Sequence, residues 1–143
     1  MSYLSNFERS FSEHTLHLVR GYDGPYDATL MVNCLLGLLV VPKETVLDAI
    51  PEAPLSDLPR WGIQRSSIKC AGRPTKTNPN PESLRGLVAN LRHSVAHFRI
   101  RPAPDKGEVH SFEFTNDVGL HAVISLTEMR EFVERLSEHL SKQ

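Results

Sequence analysis

Apolar positions recur at helical spacing over several stretches of the chain and alternate over two short ones. Leu4, Phe7, Phe11 and Leu18 fall on one stripe of a helix predicted over residues 4–20. After the turn-rich GYDGPYD, the run Leu30 to Val41 (LMVNCLLGLLVV) is apolar nearly all round, which predicts a central, buried helix. A short third helix is expected over Lys43 to Ala49. Leu84, Leu87, Val88, Leu91, Val95 and Phe98 mark the core face of a further helix. Asn80-Pro81-Glu82 reads as its start, with Asn as cap and Pro in the first helical position, and Pro102 forbids its continuation. Next, His110, Phe112 and Phe114 alternate, as do Leu120, Ala122, Ile124 and Leu126, around TNDVG; this predicts an antiparallel hairpin. Met129, Phe132, Val133, Leu136 and Leu140 then give a last helix from Thr127 to about Leu140.

Between the helical halves the pattern breaks. Six of the ten prolines fall in Pro51 to Pro81, so residues 51–80 are expected to be a Pro-rich loop region. Within it Trp61, Ile63 and Ile68 should anchor Arg60 to Ala71 onto the bundle. The expectation is one mainly α domain over residues 1–143, a helical bundle with an antiparallel β-hairpin appended before the C-terminal helix. That length suffices for a core without staples.

Composition narrows the setting. Apolar residues make up 40% and charged residues 23%, which excludes a disordered chain. Leu30 to Val41 is far shorter than the roughly 20 apolar residues a membrane span needs, so no membrane is expected. The opening MSYLSNFERSF lacks a secretory pattern. With two cysteines, Cys34 and Cys70, in no paired spacing, a reducing cytoplasm and packed rather than bridged thiols are expected.

The net charge of −1 conceals a strong polarity. Between Arg60 and Arg101 there are nine Lys and Arg against one acid, Glu82; the rest of the chain holds seven against sixteen. A segment at +8 set in a remainder at −9 fits a surface for a polyanion.

Inside that segment lies Arg92-His93-Ser94-Val95-Ala96-His97, an arginine and a histidine separated by four residues near a helix end. The spacing alone is cheap: eleven arginines and seven histidines also produce Arg9-x4-His14, amid Glu8 and Glu13. Helix geometry separates the two. At about 100° per residue, Arg85, Arg92 and Arg99 share one stripe and Gly86, Asn90, His93 and His97 another. Arginine offers phosphoryl oxygens a planar fork, and imidazole both takes and gives a proton near neutral pH. Arg92 and His97 stand about 140° apart on an ideal helix, so convergence on one phosphate calls for two copies across a twofold axis. The plain alternative is a solvated arginine and a histidine complementing the helix dipole. No metal site is expected: His14 and His17 lack further ligands. Trp61 offers either a core anchor or a base-stacking ring.

LRHSVAHFRI resembles the Arg-x4–6-His signature of the HEPN superfamily, in which Asn, Asp or His usually follows the arginine. NCLLGLLVVPKE (Asn33 to Glu44) and VHSFEFTND with LHAVISLTEMREFVERL are similar to a compact HEPN branch among bacterial plasmid and defence proteins. The likeness covers most of residues 5–140 and leaves 51–80 unmatched. It implies a homodimeric, metal-independent endoribonuclease without cofactor, acting on single-stranded RNA in toxin–antitoxin or antiviral systems and leaving 2′,3′-cyclic phosphate ends. By that resemblance Arg92 and His97 take the catalytic positions and His93 the polar one; the charge map and the cationic stripe add Arg85, Arg99 and Arg101, with His93, as expected RNA contacts. An antitoxin is the partner so implied. Inactive relatives that pair with nucleotidyltransferases leave a non-catalytic interaction module, or simple RNA binding, as the alternative.

Overall fold

The computed structural model describes residues 6–24, 27–39, 45–103 and 110–142. Five helices and four strands follow one another: α1 (Asn6–Gly21), α2 (Asp27–Leu39), α3 (Thr45–Asp48), β1 (Ile68–Cys70), α4 (Leu84–Ala96), β2 (Ile100–Pro102), β3 (Ser111–Thr115), β4 (His121–Ser125) and α5 (Leu126–Ser141). Helix α5 packs against α1 and α2, and α2 also packs against α4.

The C-terminal half follows its hydrophobic pattern closely. Met129, Phe132, Val133, Leu136 and Leu140 are all buried on α5. Its start is fixed by a capping box: Ser125 Oγ accepts from Glu128 N at 3.1 Å, and the Ser125 amide donates to Glu128 Oε1 at 3.0 Å. On β3 and β4, Phe112, Phe114, Ala122 and Ile124 face the helices, while Glu113, Thr115, His121 and Val123 alternate outward. These are the two strands expected around TNDVG. The structure adds β1 and β2 at the edges, giving an antiparallel sheet in the order β1-β4-β3-β2.

The Pro-rich region is more ordered than a loop. Residues Leu55–Trp61 and Arg65–Ser67 form 3-10 turns leading into β1, and Leu55, Leu58, Ile63, Ile68 and Ala71 all enter the core. Short turns tolerate prolines that a longer helix would not. Trp61 is a core anchor: it is partly buried and meets the His139 ring edge-on, with centroids 5.4 Å apart.

Four expectations are corrected. Leu18 is 61% exposed, because α1 turns Ser12, Thr15 and Val19 inward; Leu4 and the side chains of Phe7 and Phe11 lie outside the described residues. Helix α4 begins at Leu84, not Pro81, since the cap is Ser83, whose Oγ accepts from Gly86 N at 3.0 Å. Phe98 lies beyond the end of α4 and is 76% exposed. Cys34 is buried as expected, with burial raising its thiol pKa, but Cys70 is exposed on the edge strand β1; both are free. The expected end of α2 at Val41 and the Lys43 start of the next helix also lie outside the described residues. Among the described residues no helix is long and apolar enough to cross a membrane.

Candidate functional site

Helix α4 carries the candidate residues on the side opposite its core face. Leu84, Leu87, Val88, Leu91 and Val95 are buried, which fixes the rotation of the helix. That rotation turns Arg85, Gly86, Ala89, Asn90, Arg92 and His93 toward a cleft of about 790 Å3. The opposite wall comes from the α3 end, with Asp48 and Glu52, and from the Thr75–Asn80 loop.

The loop can approach because position 86 is glycine. A Cβ there would stand 2.1 Å from the Asn80 carbonyl oxygen. Asn78 Nδ2 instead donates to the Gly86 carbonyl at 3.0 Å, tying the loop to the first turn of α4. The floor is a buried polar node. Asn90 Nδ2 donates to the Ala71 carbonyl at 2.9 Å, and Asn90 Oδ1 accepts from Asn116 Nδ2 at 3.1 Å. Asn116 Oδ1 in turn accepts the amides of Val118 and Leu120, shaping the β3–β4 turn.

The cationic side chains divide into two groups. Arg85 is committed to the fold: Nε donates to the Ile50 carbonyl at 2.8 Å, Nη2 to that of Asp48 at 3.3 Å, and Nη1 pairs with Glu52 at 3.4 Å. Arg99 pairs with Asp117, and Arg101 Nε lies 2.7 Å from Glu113 Oε1. Arg65 pairs with Glu82, and Arg73 donates to the Asp117 carbonyl. Four arginines of the basic block are thus paired with carboxylates, whereas no ion pair or side-chain hydrogen bond among the described residues engages Arg60, Lys76 or Arg92. Of these three only Arg92, partly buried, lines the cleft.

His97 is the C-cap of α4, exposed and just outside the cleft lining. One turn earlier, His93 lines the cleft, and the two rings lie 4.3 Å apart between centroids, tilted by 47°. His93 thus stands on the cleft that Arg92 also lines, with its ring against that of His97. The predicted stripe of Arg85, Arg92 and Arg99 is cut short, because the helix ends at Ala96 and Arg99 follows a sharp turn. Arg99 and Arg101 line a second hollow of about 340 Å3 with Phe98, Ile100 and Thr115.

A helical chain carrying an arginine and a histidine at this spacing, with a polar residue directly after the arginine, matches a known family model. That model is described as HEPN pEK499 p136, and it matches residues 1–143. The chain belongs to the HEPN superfamily. No curated protein and no solved structure matches it. The HEPN match spans the Pro-rich region, which the resemblance of the signature segments had left uncovered.

Sequence reasoning missed the cleft's second wall. Asn78 looks like an ordinary loop residue, and Asn80 like a helix cap, until Gly86 is seen to accept the loop's close approach. Asp48 and Glu52 carry no motif at all. Neither wall shares a periodicity with α4, so no pattern in the chain connects them.

Proposed function

We propose that this HEPN protein is a homodimeric endoribonuclease that cleaves single-stranded RNA without a metal ion. The observation that carries the reading is the Arg92 guanidinium, without a partner among the described residues, in a cleft shared with His93, whose ring meets that of the exposed His97. With Arg85 in the same cleft already paired with Glu52, a cation there without a partner favours an anion from outside.

The chemistry that fits is intramolecular transesterification. The ribose 2′-hydroxyl loses its proton and attacks the adjacent phosphorus. The bond to the 5′-oxygen breaks, that oxygen gains a proton, and a 2′,3′-cyclic phosphate remains. His97 serves one of the two proton transfers, for which a positioned imidazole is suited. Arg92 binds the non-bridging oxygens as their charge grows, through paired N–H donors. The His97 of a second copy, brought across a twofold axis, supplies the other transfer. His93, in ring contact with His97 and facing the cleft, orients it. Protein cations and imidazoles supply both the charge and the proton traffic of this route.

The test is cleavage of a labelled single-stranded RNA in excess EDTA, with products resolved for 2′,3′-cyclic ends. Cyclic-ended products are expected from the wild type and none from Arg92→Ala or His97→Ala. Cleavage that survives both substitutions, or that stops with the chelator, overturns the reading. Stoichiometric capture of a protein partner without RNA product points instead to a non-catalytic module.

A further inference from the structure

Among the described residues Phe98 is the only non-glycine with positive φ, at 54°. It directly follows His97, and the turn around it is firmly built. The Phe98 amide donates to the Val95 carbonyl at 3.1 Å and the Arg99 amide to the Ser94 carbonyl at 2.7 Å. This is the bonding pattern that closes a helix through a left-handed residue, where glycine is strongly preferred. Ser94 Oγ and the Thr115 amide both donate to the Arg99 carbonyl, at 2.9 and 3.1 Å, and lock the turn to β3. The chain thus places a bulky aromatic at the left-handed residue that closes α4, where a residue with no side chain is favoured.

That cost gains nothing in the fold. The ring is 76% exposed, and Phe98 and Leu18 are the only large apolar residues so exposed among those described. Its surroundings select the kind of ligand. A protein-binding surface would gather several apolar residues around the ring. Here the hollow beside the ring is lined by Arg99, Arg101, the partly buried Thr115 and one apolar residue, the buried Ile100, and the exposed His97 directly precedes Phe98 in the chain. A lone flat π face among cations and an imidazole, held on a rigid turn, fits a polyanion that carries flat aromatic groups.

We infer that Phe98 is a stacking platform for an unpaired nucleobase of the RNA bound at Arg92 and His97, an inference that rests on the proposed function. Stacking tolerates any base, since each has a π face, and it holds the strand next to the reacting phosphate. Arg99 and Arg101 lie alongside, each in an ion pair with an acidic neighbour, Asp117 or Glu113; such partly exposed pairs contribute little in water, so a phosphate of the stacked nucleotide can take the carboxylate's place.

The decisive measurement pairs stability with RNA binding, because the inference gives them opposite signs. Phe98→Gly should raise Tm by a few degrees, as glycine relaxes the left-handed turn. The same substitution should weaken binding of a labelled single-stranded oligouridine about tenfold or more. Phe98→Leu should weaken binding similarly, and Phe98→Trp should restore it. With Phe98→Trp, oligouridine should quench the added indole fluorescence, and an abasic ribose-phosphate strand of equal length should not. If the wild type binds and cleaves RNA while Phe98→Gly is unchanged in affinity, stacking is overturned and the nuclease reading stands. If Phe98→Gly dissociates a dimer, measured by sedimentation, and loses affinity only in proportion, the ring is a subunit contact and the inference fails. If the wild type neither binds nor cleaves RNA, both readings fall together.

Discussion

His93 and His97 stand one turn apart at the end of α4, their ring centroids separated by 4.3 Å and their planes by 47°. The contact gives the exposed cap histidine a defined neighbour that also faces the cleft, and it divides the labour expected of the pair. Under single-turnover conditions in EDTA, His97→Ala should slow cleavage about 100- to 10,000-fold, the range for a lost proton-transfer group. His93→Ala should lower kcat far less and leave KM little changed, since only orientation is lost. His93→Asn should keep most of the rate, as asparagine commonly occupies that position in the signature. Equal losses from His93→Ala and His97→Ala would move the proton transfer to His93.

Arg85 and Arg92 lie on the same helix and the same cleft, yet only Arg85 has partners within the fold among the described residues. Arg85 holds the Ile50 and Asp48 carbonyls and Glu52, so Arg85→Ala should lower stability by about 1–2 kcal/mol in urea unfolding. Arg92→Ala should leave Tm unchanged and abolish cleavage. Arg92→Lys should recover little activity, because a point charge does not reproduce the planar fork. A drop in Tm for Arg92→Ala matching that of Arg85→Ala would make Arg92 structural.

Where a sequence signal was local and repeated, it was legible. The core faces of α4 and α5 and the alternation of Phe112 and Phe114 could each be read from residues near one another in the chain. The same holds for the HEPN resemblance, which the family match over residues 1–143 bears out. What escaped depended on distant partners. Nothing near Arg85, Arg99 or Arg101 predicts the carboxylates of Glu52, Asp117 and Glu113 that meet them, and charge counting therefore overstated the free cationic surface. Phe98 has the right spacing for the core, but the helix stops two residues before it and the left-handed turn swings it out. Asn80 has the composition of a cap, and Ser83 wins because its hydroxyl reaches the Gly86 amide.

Glu128 ties the start of α5 to the Pro-rich region. Its partial burial raises the carboxyl pKa, but hydrogen bonds from Ser67 Oγ, the Ser125 and Gln64 amides and Ser125 Oγ outweigh that and hold it below the ordinary 4.5. A depressed folded-state value means that the stabilisation is fully present above pH 4.5 and is lost as pH falls through the folded value. Glu128→Gln should cost about 1–2 kcal/mol at pH 7 and show a shallower acid dependence. Glu113, held low by Arg101 and His121, and Glu138, held low by Lys142 and Arg20, titrate in the same direction. The informative quantity is thus the difference between wild-type and Glu128→Gln urea midpoints across pH 7 to 3. A constant difference would show that Glu128 titrates alike in both states.

The buried amides of Asn90 and Asn116 connect the cleft to the sheet, and their coupling is measurable. Asn116 closes the β3–β4 turn through two backbone amides and hands its Nδ2 to Asn90, which reaches the Ala71 carbonyl beyond β1. Removing either amide strands buried partners, at about 1–3 kcal/mol for each group left unsatisfied. Asn90→Ala and Asn116→Ala should therefore each destabilise by more than one hydrogen bond's net worth. The double variant should cost less than their sum, since the shared bond is lost only once. Because Asn90 and Val118 both line the cleft, Asn116→Ala should also weaken RNA binding without touching Arg92 or His97. Strict additivity in urea unfolding would mean that the two amides act independently and that the turn does not brace the cleft.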